Sequence, residues 1–218
     1  MPAPRVISVN VGRTRRVRHG DREVRTAIWK DPVQGRVVAA GNRLEGDRQS
    51  DGRVHGGYDK AVYAYAREDY AWWEAKLGRH LAPGTFGENL TTEGLDVSNA
   101  RPGERWRVGT TLLEVSEPRL PCAKLGIRME DPRFVKQFGG AGRPGAYLRI
   151  VEEGDLGAGD AIDVVERPGH GVTVAQMMDA RLRQDAARMA RLAPAAPDLP
   201  DKWRRRVERA ASRIARAA

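Results

Sequence analysis

Residues 5 to 12, RVISVNVG, alternate apolar and polar positions as a first strand does. Arg13 to Asp21 is a basic segment ending in the turn signal His19-Gly20-Asp21, and Glu23 to Trp29 reads as its hairpin partner. After Lys30-Asp31-Pro32 and Gln34-Gly35, the run RVVAAGNRL predicts a further strand that leads into the charged turn Glu45-Gly46-Asp47-Arg48. Ala61 to Ala66 reads as a buried strand, and Glu68 to Leu77 as a short helix stopped by Gly78. Its Tyr70, Trp73 and Leu77 fall at helical spacing and belong to a core. Pro83 to Leu90 is a glycine-rich turn, and Glu93-Gly94, Pro102-Gly103 and Val108-Gly109 mark the turns that follow. From Leu112 a strand alternates, Leu113 and Val115 on one side, Glu114 and Ser116 on the other, in the manner of a half-buried strand. Pro132 to Phe138 predicts a short helix and Gly139 to Gly145 a third glycine-rich loop. Ala146 to Glu152 and Asp160 to Glu166 predict closing strands, joined by the turn-rich EGDLGAGD.

Beyond Pro168 the pattern turns helical: Val174 to Leu192, a proline-rich break from Pro194 to Pro200, then Lys202 to Ala217. In the last segment Trp203, Val207, Ala210, Ala211 and Ile214 make an apolar stripe opposite the arginines. Short strands separated by turns, with few helices, predict a mainly β (α+β) chain. The expected architecture is a closed or nearly closed β-barrel over residues 1–167, with a helical module over 168–218 docked on it.

The 218 residues allow one generous domain or a domain plus a small appendage. The net charge of +9 is uneven: Arg167 to Ala218 hold 12 basic and 5 acidic residues, a net +7, leaving +2 for everything before. Basicity therefore belongs to the tail and does not make the main domain a nucleic-acid binder. A single cysteine excludes an internal disulfide. The start MPAPRVISVN has no apolar run of signal-peptide length, and no eighteen consecutive residues are apolar, so a soluble, cytoplasmic protein with no membrane contact is expected.

That cysteine, Cys122, ends the strand from Leu112 on a stiff loop: Pro118 cannot donate to a ladder and Pro121 fixes the backbone just before the thiol. A lone cysteine is commonly a small buried hydrophobe. Here Arg119 and Lys124 flank it, and cations that close favour a thiolate, which suits a nucleophile or a soft-metal ligand. Gly56-Gly57 after His55 permits a backbone path that can bring N–H groups toward an anion, with Lys60 adding charge; the same residues also suit a plain tight turn. Asn89 both donates and accepts, which fits a heterocycle edge as well as a turn cap. Arg143, in the third glycine-rich loop, is a candidate phosphate contact.

Taken together, LEGDRQSDGRVHGGYDKAVYAY, FGENLTTEGL and VSEPRLPCAKL, in this order, resemble the MOSC domain, the molybdenum-cofactor-sulfurase C-terminal domain. The appended helices resemble the long YiiM-like bacterial form. The resemblance implies a β-barrel-like fold holding a molybdenum cofactor, the metal bound by the pterin dithiolene and one protein sulfur, here Cys122. It implies reduction of N-hydroxylated bases or related N-hydroxy compounds, with electrons from a separate donor protein because the chain carries no flavin or nicotinamide motif. Carried over by position, Cys122 is the metal ligand and Asn89 of GENL touches the pterin. His55, Glu88 and Asp59 fall inside the motifs, and one of them supplies the proton that releases hydroxide as water; His55 is favoured by its near-neutral pKa. The implied catalytic set is Cys122, His55 and Glu88. The implied cofactor-binding set is Gly56, Gly57, Asp59, Lys60, Gly87, Asn89, Ser116, Arg119, Lys124 and Arg143, with Lys60, Arg119, Lys124 and Arg143 serving the pterin phosphate. The arginine-rich stretch Arg13 to Arg25 departs from the pattern and can reshape the entrance.

Three other readings compete. A sulfur carrier would use a Cys122 persulfide and needs no bound cofactor. A nucleic-acid binder would use the basic tail, although its arginines lack interleaved aromatics. A scaffold would keep its function in Cys122→Ser. For the reductase, His55→Ala is expected to lower turnover more than cofactor content, checked by measuring rate and molybdenum per chain on the same preparations; a parallel fall in both assigns His55 to binding.

Overall fold

The computed structural model describes residues 2–49 and 56–216. Residues 50–55, His55 among them, lie outside the described residues. The first alternating run forms β1 (Arg5–Val11). The basic segment forms β2 (Arg15–His19), which pairs with β3 (Arg22–Thr26) as a separate two-stranded hairpin. The expected hairpin partner thus stops at Thr26, and Ala27, Ile28 and Lys30 turn inward and are buried.

A two-residue β4 (Asp31–Pro32) follows. RVVAAGNRL, read as one strand, is two: β5 (Arg36–Ala40) and β6 (Arg43–Leu44) fold back on each other at Gly41, whose φ of 60° is left-handed. Next come β7 (Val62–Ala66), fully buried, and α1 (Arg67–Leu77), closed by Gly78 in the αL conformation as expected. β8 (Leu90–Glu93), β9 (Arg105–Val108) and β10 (Thr111–Pro118) follow.

β10 differs from the half-buried strand expected, because Ser116 and Glu117 are as buried as Leu113. Two elements cause this: Trp203 of the tail reaches Glu117, while the Asp59 and Tyr147 carbonyls close over Ser116. Cys122 then caps a short helix that the sequence pattern does not announce, α2 (Ala123–Arg128), and α3 (Phe134–Ala141) absorbs Gly139 and Gly140, so the third loop starts only at Gly142.

β11 (Ala146–Glu152) is followed inside the supposed turn by β12 (Gly154–Gly157), then by β13 (Ile162–Glu166). The tail comprises α4 (Val174–Arg183), α5 (Ala186–Ala190), a 3-10 turn over Ala193–Asp198 and α6 (Asp201–Ala215). The single helix expected over Val174 to Leu192 breaks at Gln184, which is left-handed at φ 53°. Of the predicted stripe on α6, Trp203, Val207 and Ala210 are buried, whereas Ala211 and Ile214 face solvent.

Eight strands form one sheet in the order β13-β9-β10-β11-β7-β8-β1-β4. Neighbours are antiparallel except β7 and β8, which run parallel because α1 carries the chain across between them. β12, β5 and β6 make a second, three-stranded sheet. The main sheet does not close into a barrel, which corrects the closed or nearly closed barrel expected above. β1 carries β4 on its C-terminal half, where Pro32 has no N–H to extend the ladder. Its N-terminal half meets the approach to β13 only through the bridge Arg5 to Ala161 and a few backbone bonds, among them Val6 N to Asp160 O at 2.9 Å. The architecture is mixed α+β, mostly sheet with several helices.

Two apolar clusters fill it. One joins the sheet to the tail, so that Leu113 and Val115 of β10 share a core with Met177, Leu192, Leu199 and Trp203. The other is aromatic, with Tyr63, Tyr65, Tyr70, Trp73, Phe86, Phe134 and Phe138, and Cys122 packs at its edge. Among the described residues no helix is long and apolar enough to cross a membrane.

Because tail and sheet share a core, Trp203→Ala is expected to cost about 3–5 kcal/mol of stability. Urea unfolding should show the tail and sheet signals lost in one transition.

Candidate functional site

The loop Arg119 to Pro121 leaves β10 without regular structure and delivers Cys122 half-buried to the wall of a cleft. The cleft is open to solvent, and the empty space in it, counted out into that opening, is about 540 Å³. Thr26 to Ile28 form one side, Asp47 to Gln49 another, Gly87 and Asn89 a third, and Arg119, Cys122 and Lys124 a fourth, with Lys60, Tyr63 and Tyr147 between them. Among the described residues five cationic side chains line it, Lys30, Arg48, Lys60, Arg119 and Lys124, against the single carboxylate of Asp47.

Arg119 is the most constrained of these cations. It is 5% exposed, its Nη2 lies 4.0 Å from Cys122 Sγ, and its guanidinium stacks over Phe138 at 5.2 Å and Tyr63 at 5.8 Å. Its only oxygen partner among the described residues is the Leu120 carbonyl at 3.4 Å, and no carboxylate of theirs reaches it. Burial works against its charge, while Cys122 and the phenols of Tyr63, Tyr147 and Tyr65 favour it, and the balance leaves its pKa above the ordinary arginine value. A buried cation without a carboxylate is costly unless an anion meets it.

Asp47 organises the opposite wall. Lys30 Nζ stands 2.5 Å from its Oδ1 and 2.6 Å from its Oδ2, Gly12 N donates to Oδ1 at 2.8 Å, and Asn89 Nδ2 donates to Oδ2 at 3.0 Å. Burial pushes the Lys30 ammonium down despite the opposing pull of Asp47. The glycine-rich turn fits against this pair because Gly84 lacks a side chain: a Cβ there would stand 2.2 Å from the Lys30 carbonyl. Sequence reasoning misses both Lys30 and Asp47 as site residues. The only signal for them is the crowding of charge in Glu45 to Arg48.

The structure brings Cys122, Lys60, Gly87, Asn89, Arg119 and Lys124 to one cleft. Asn89, expected at a pterin edge, has its amide occupied by the protein: Oδ1 accepts from Tyr63 N at 3.1 Å, and Nδ2 also donates to the Asn10 carbonyl at 3.1 Å. Of the other predicted residues, Glu88, Ser116, Asp59, Gly56, Gly57 and Arg143 stand outside the lining. Glu88 is fully buried behind it, where its carboxylate accepts from Tyr70 Oη at 2.5 Å, Gly84 N at 2.7 Å, Thr91 Oγ1 at 2.8 Å and Phe86 N at 3.2 Å. Burial raises its pKa against those bonds. Glu88, expected among the reacting groups, staples the turn from behind the wall.

Ser116 lies within hydrogen-bond distance of the Asp59 and Tyr147 carbonyls, at 2.5 and 3.0 Å, and the Asp59 carboxylate pairs with Arg149 at 2.8 Å. Both brace the 3-10 turn Tyr58–Lys60 that carries Lys60. Gly57 is left-handed at φ 96°, but its N–H donates to Gln49 Oε1 at 3.2 Å and is not offered to the cleft; Gly56 beside it is half-buried. Arg143 pairs with Asp69 at 2.5 Å and lies over Trp72, away from the cleft, because α3 runs on to Ala141 and carries its loop toward α1. His55 lies outside the described residues.

A family model described as the MOSC domain matches residues 51–163, which carry most of this cleft. Protein YiiM of Escherichia coli (strain K12) is 35% identical over 146 residues, 65% of this chain and 65% of its own. The crystal structure of YiiM from Geobacillus stearothermophilus superposes with a TM-score of 0.76 at 31% identity, covering 95% of this chain and 98% of that one. The chain belongs to the MOSC domain family and is YiiM-like. An uncharacterized protein, YflK of Bacillus subtilis (strain 168), is 36% identical over 169 residues, 78% of this chain and 76% of its own. A fungal protein named Reductase, from Gibberella moniliformis, is 35% identical over 172 residues, 77% of this chain but 30% of that protein. In this MOSC chain the matched segment supplies Lys60, Asn89, Arg119 and Cys122, while Lys30 and Asp47 come from before it.

Removing one partner of the buried pair leaves the other charged and unpaired. Lys30→Met is expected to destabilise the fold by about 3–5 kcal/mol, read from urea unfolding at neutral pH.

Proposed function

We propose that the cleft binds a molybdenum cofactor with Cys122 as the protein ligand, and that the protein reduces N-hydroxylated bases or related N-hydroxy compounds. The observation that carries this reading is Arg119, a buried guanidinium with no carboxylate among the described residues, set beside the cysteine in a cleft with a large excess of cations. Such a place calls for an anion, and a pterin dithiolene bearing a phosphate is one. The donor set also fits. A thiolate is a soft ligand, and among the described residues no group of three His, Cys, Asp or Glu side chains could hold a metal. A metal held by Cys122 would take its remaining ligands from the cofactor.

When bound, the cofactor would supply a two-electron centre able to take an oxygen atom from the substrate. The chain's own part is to hold and orient. Cys122 fixes the group, Arg119 supports negative charge at the sulfur, Lys60 and Lys124 attract the phosphate, and the buried Tyr63 and half-buried Tyr147 give the cleft flat walls. The overall change, R–NHOH with two electrons and two protons giving R–NH₂ and water, takes its electrons from a separate donor protein. The membership of the MOSC family and the name Reductase on the fungal relative support the direction of the chemistry.

The test is molybdenum per chain, by elemental analysis, in the parent protein and Cys122→Ser expressed in a host that makes the cofactor. Metal in the parent is expected. The variant should fold, lose the metal or change its spectrum, and no longer reduce an N-hydroxylated base. Reduction retained by cofactor-loaded Cys122→Ser overturns the ligand assignment. No metal in either after a loading attempt turns the reading to a sulfur carrier, for which a persulfide on Cys122 is then sought.

A further inference from the structure

The tail holds a second concentration of positive charge. Arg181 of α4 and Arg206, Arg209 and Arg213 of α6 line one open groove, together with Met189 of α5. Its empty space, counted out into solvent, is about 700 Å³, and it shares no lining residue with the cleft. Among the described residues Asp185 is the one carboxylate in the lining, and it is already engaged. Its Oδ1 accepts from Ala187 N at 2.8 Å and Arg188 N at 3.1 Å, and its Oδ2 lies 3.4 Å from Arg188 Nε.

Helix stability does not account for this arrangement. Arg206, Arg209 and Arg213 are three and four residues apart, so they share a face of α6, where like charges repel and weaken the helix. Other arginines of the tail are matched by acids: Arg183 and Arg188 by Asp179, each at 2.6 Å, and Arg204 by Asp201. None of the four in the groove has a carboxylate or carbonyl partner among the described residues. Arg206 lies instead over the Trp203 ring at 5.8 Å.

Two of the four bear the largest cost. Arg181 Nε is shut off from water and has no hydrogen-bond partner among the described residues. Arg206 is half-buried; burial, with the charges of Arg181 and Arg209, pushes its pKa below the ordinary arginine value against the pull of Glu117. An anion set among these groups would offset both the desolvation and the repulsion. Guanidiniums match oxyanions through paired N–H groups. Four of them offer more donors than one carboxylate can use, whereas a phosphate brings three acceptor oxygens and about two charges.

We infer that this groove is an anion site in its own right, which takes a small phosphate-bearing ligand between Arg181 of α4 and Arg206 and Arg209 of α6. The inference does not use the cleft or the reduction proposed there. It gives the tail a role, because a ligand so placed ties α6 to α4.

The experiment follows the arginine Nε–H signals of the full, nitrogen-labelled chain by NMR during titration with sodium phosphate at neutral pH and constant ionic strength. The variants are Arg181→Met, Arg206→Met, Arg209→Met and Arg204→Met, each with a melting curve; methionine keeps an unbranched apolar stem in place of the arginine's. Arg204 pairs with Asp201 and does not line the groove, so its variant controls for lost charge alone.

The Arg181 and Arg206 signals should shift together and saturate in the millimolar range. Arg206→Met should weaken the binding read at Arg181 about tenfold, the scale of a lost hydrogen bond between charged groups, and Arg181→Met should do the same at Arg206. Arg209→Met, at an exposed position, should weaken it about threefold, the scale of an exposed ion pair, and stands as the test should either half-buried variant fail to fold. Arg204→Met should bind as the parent does. Phosphate that also enters the cleft reads out separately, at Arg119.

Arg181 and Arg206 signals that do not saturate with phosphate, or that move equally with chloride or acetate, overturn the inference. Folded variants that bind phosphate like the parent, or an Arg204→Met effect as large as theirs, also overturn it. So does a short DNA duplex that shifts these signals where phosphate does not, since the groove then belongs to nucleic acid.

Discussion

The carboxylate of Asp47 holds four stretches of chain at one point. Lys30 reaches it from the segment after the arginine hairpin, Gly12 from the end of β1, and Asn89 from the glycine-rich turn, while Asp47 itself belongs to the turn after β6. The ladders of β1 with β4 and with β8 run up to this point, and the buried anion ties their ends together by satisfying three donors at once. Asn89 extends the tie, since its amide and backbone also bond β7 and β1. Asn89, expected to face a ligand, lines the cleft and also serves as a strut between strands.

Across the cleft the electrostatics are arranged the other way. Asp47 is saturated by its partners, whereas Arg119 is buried with sulfur, one carbonyl and two aromatic faces. Asp47 with its partners on one wall, and on the other Arg119 with no carboxylate among the described residues, give the cleft a direction. Glu88 shows how the same fold disposes of charge it does not use, surrounding a carboxylate with four donors behind the wall.

Much of this is legible in sequence wherever the controlling physics is local. Prolines set the loop before Cys122, glycine stops α1, and alternation marks β1. What depends on distant partners is not. Arg143 looks available for phosphate because nothing nearby in sequence opposes it, yet Asp69, 74 residues earlier, takes its charge. β10 looks half-buried because its alternation is that of a one-sided sheet, but α6 brings Trp203 onto Glu117 from 86 residues away. Lys30 and Asp47 are each unremarkable in their turns and become a site only as a pair. β12 is hidden because GDLG reads as a turn by composition, and only pairing with β5 makes it a strand.

The parallel pairing of β7 with β8 and the joining of β1 to β8 bring together residues as far apart as Arg5 and Glu93. Such contacts form late in folding, because the entropy of closing long loops is lost before the contacts return it. The cleft draws its walls from residues near 28, 47, 60, 88, 120 and 147, all brought in by these distant pairings. A partly folded chain therefore has no cleft at all, only scattered cations. An anion that filled the completed cleft would act on the native state alone and hold the topology shut by mass action, and such a ligand would be a final structural element of the fold.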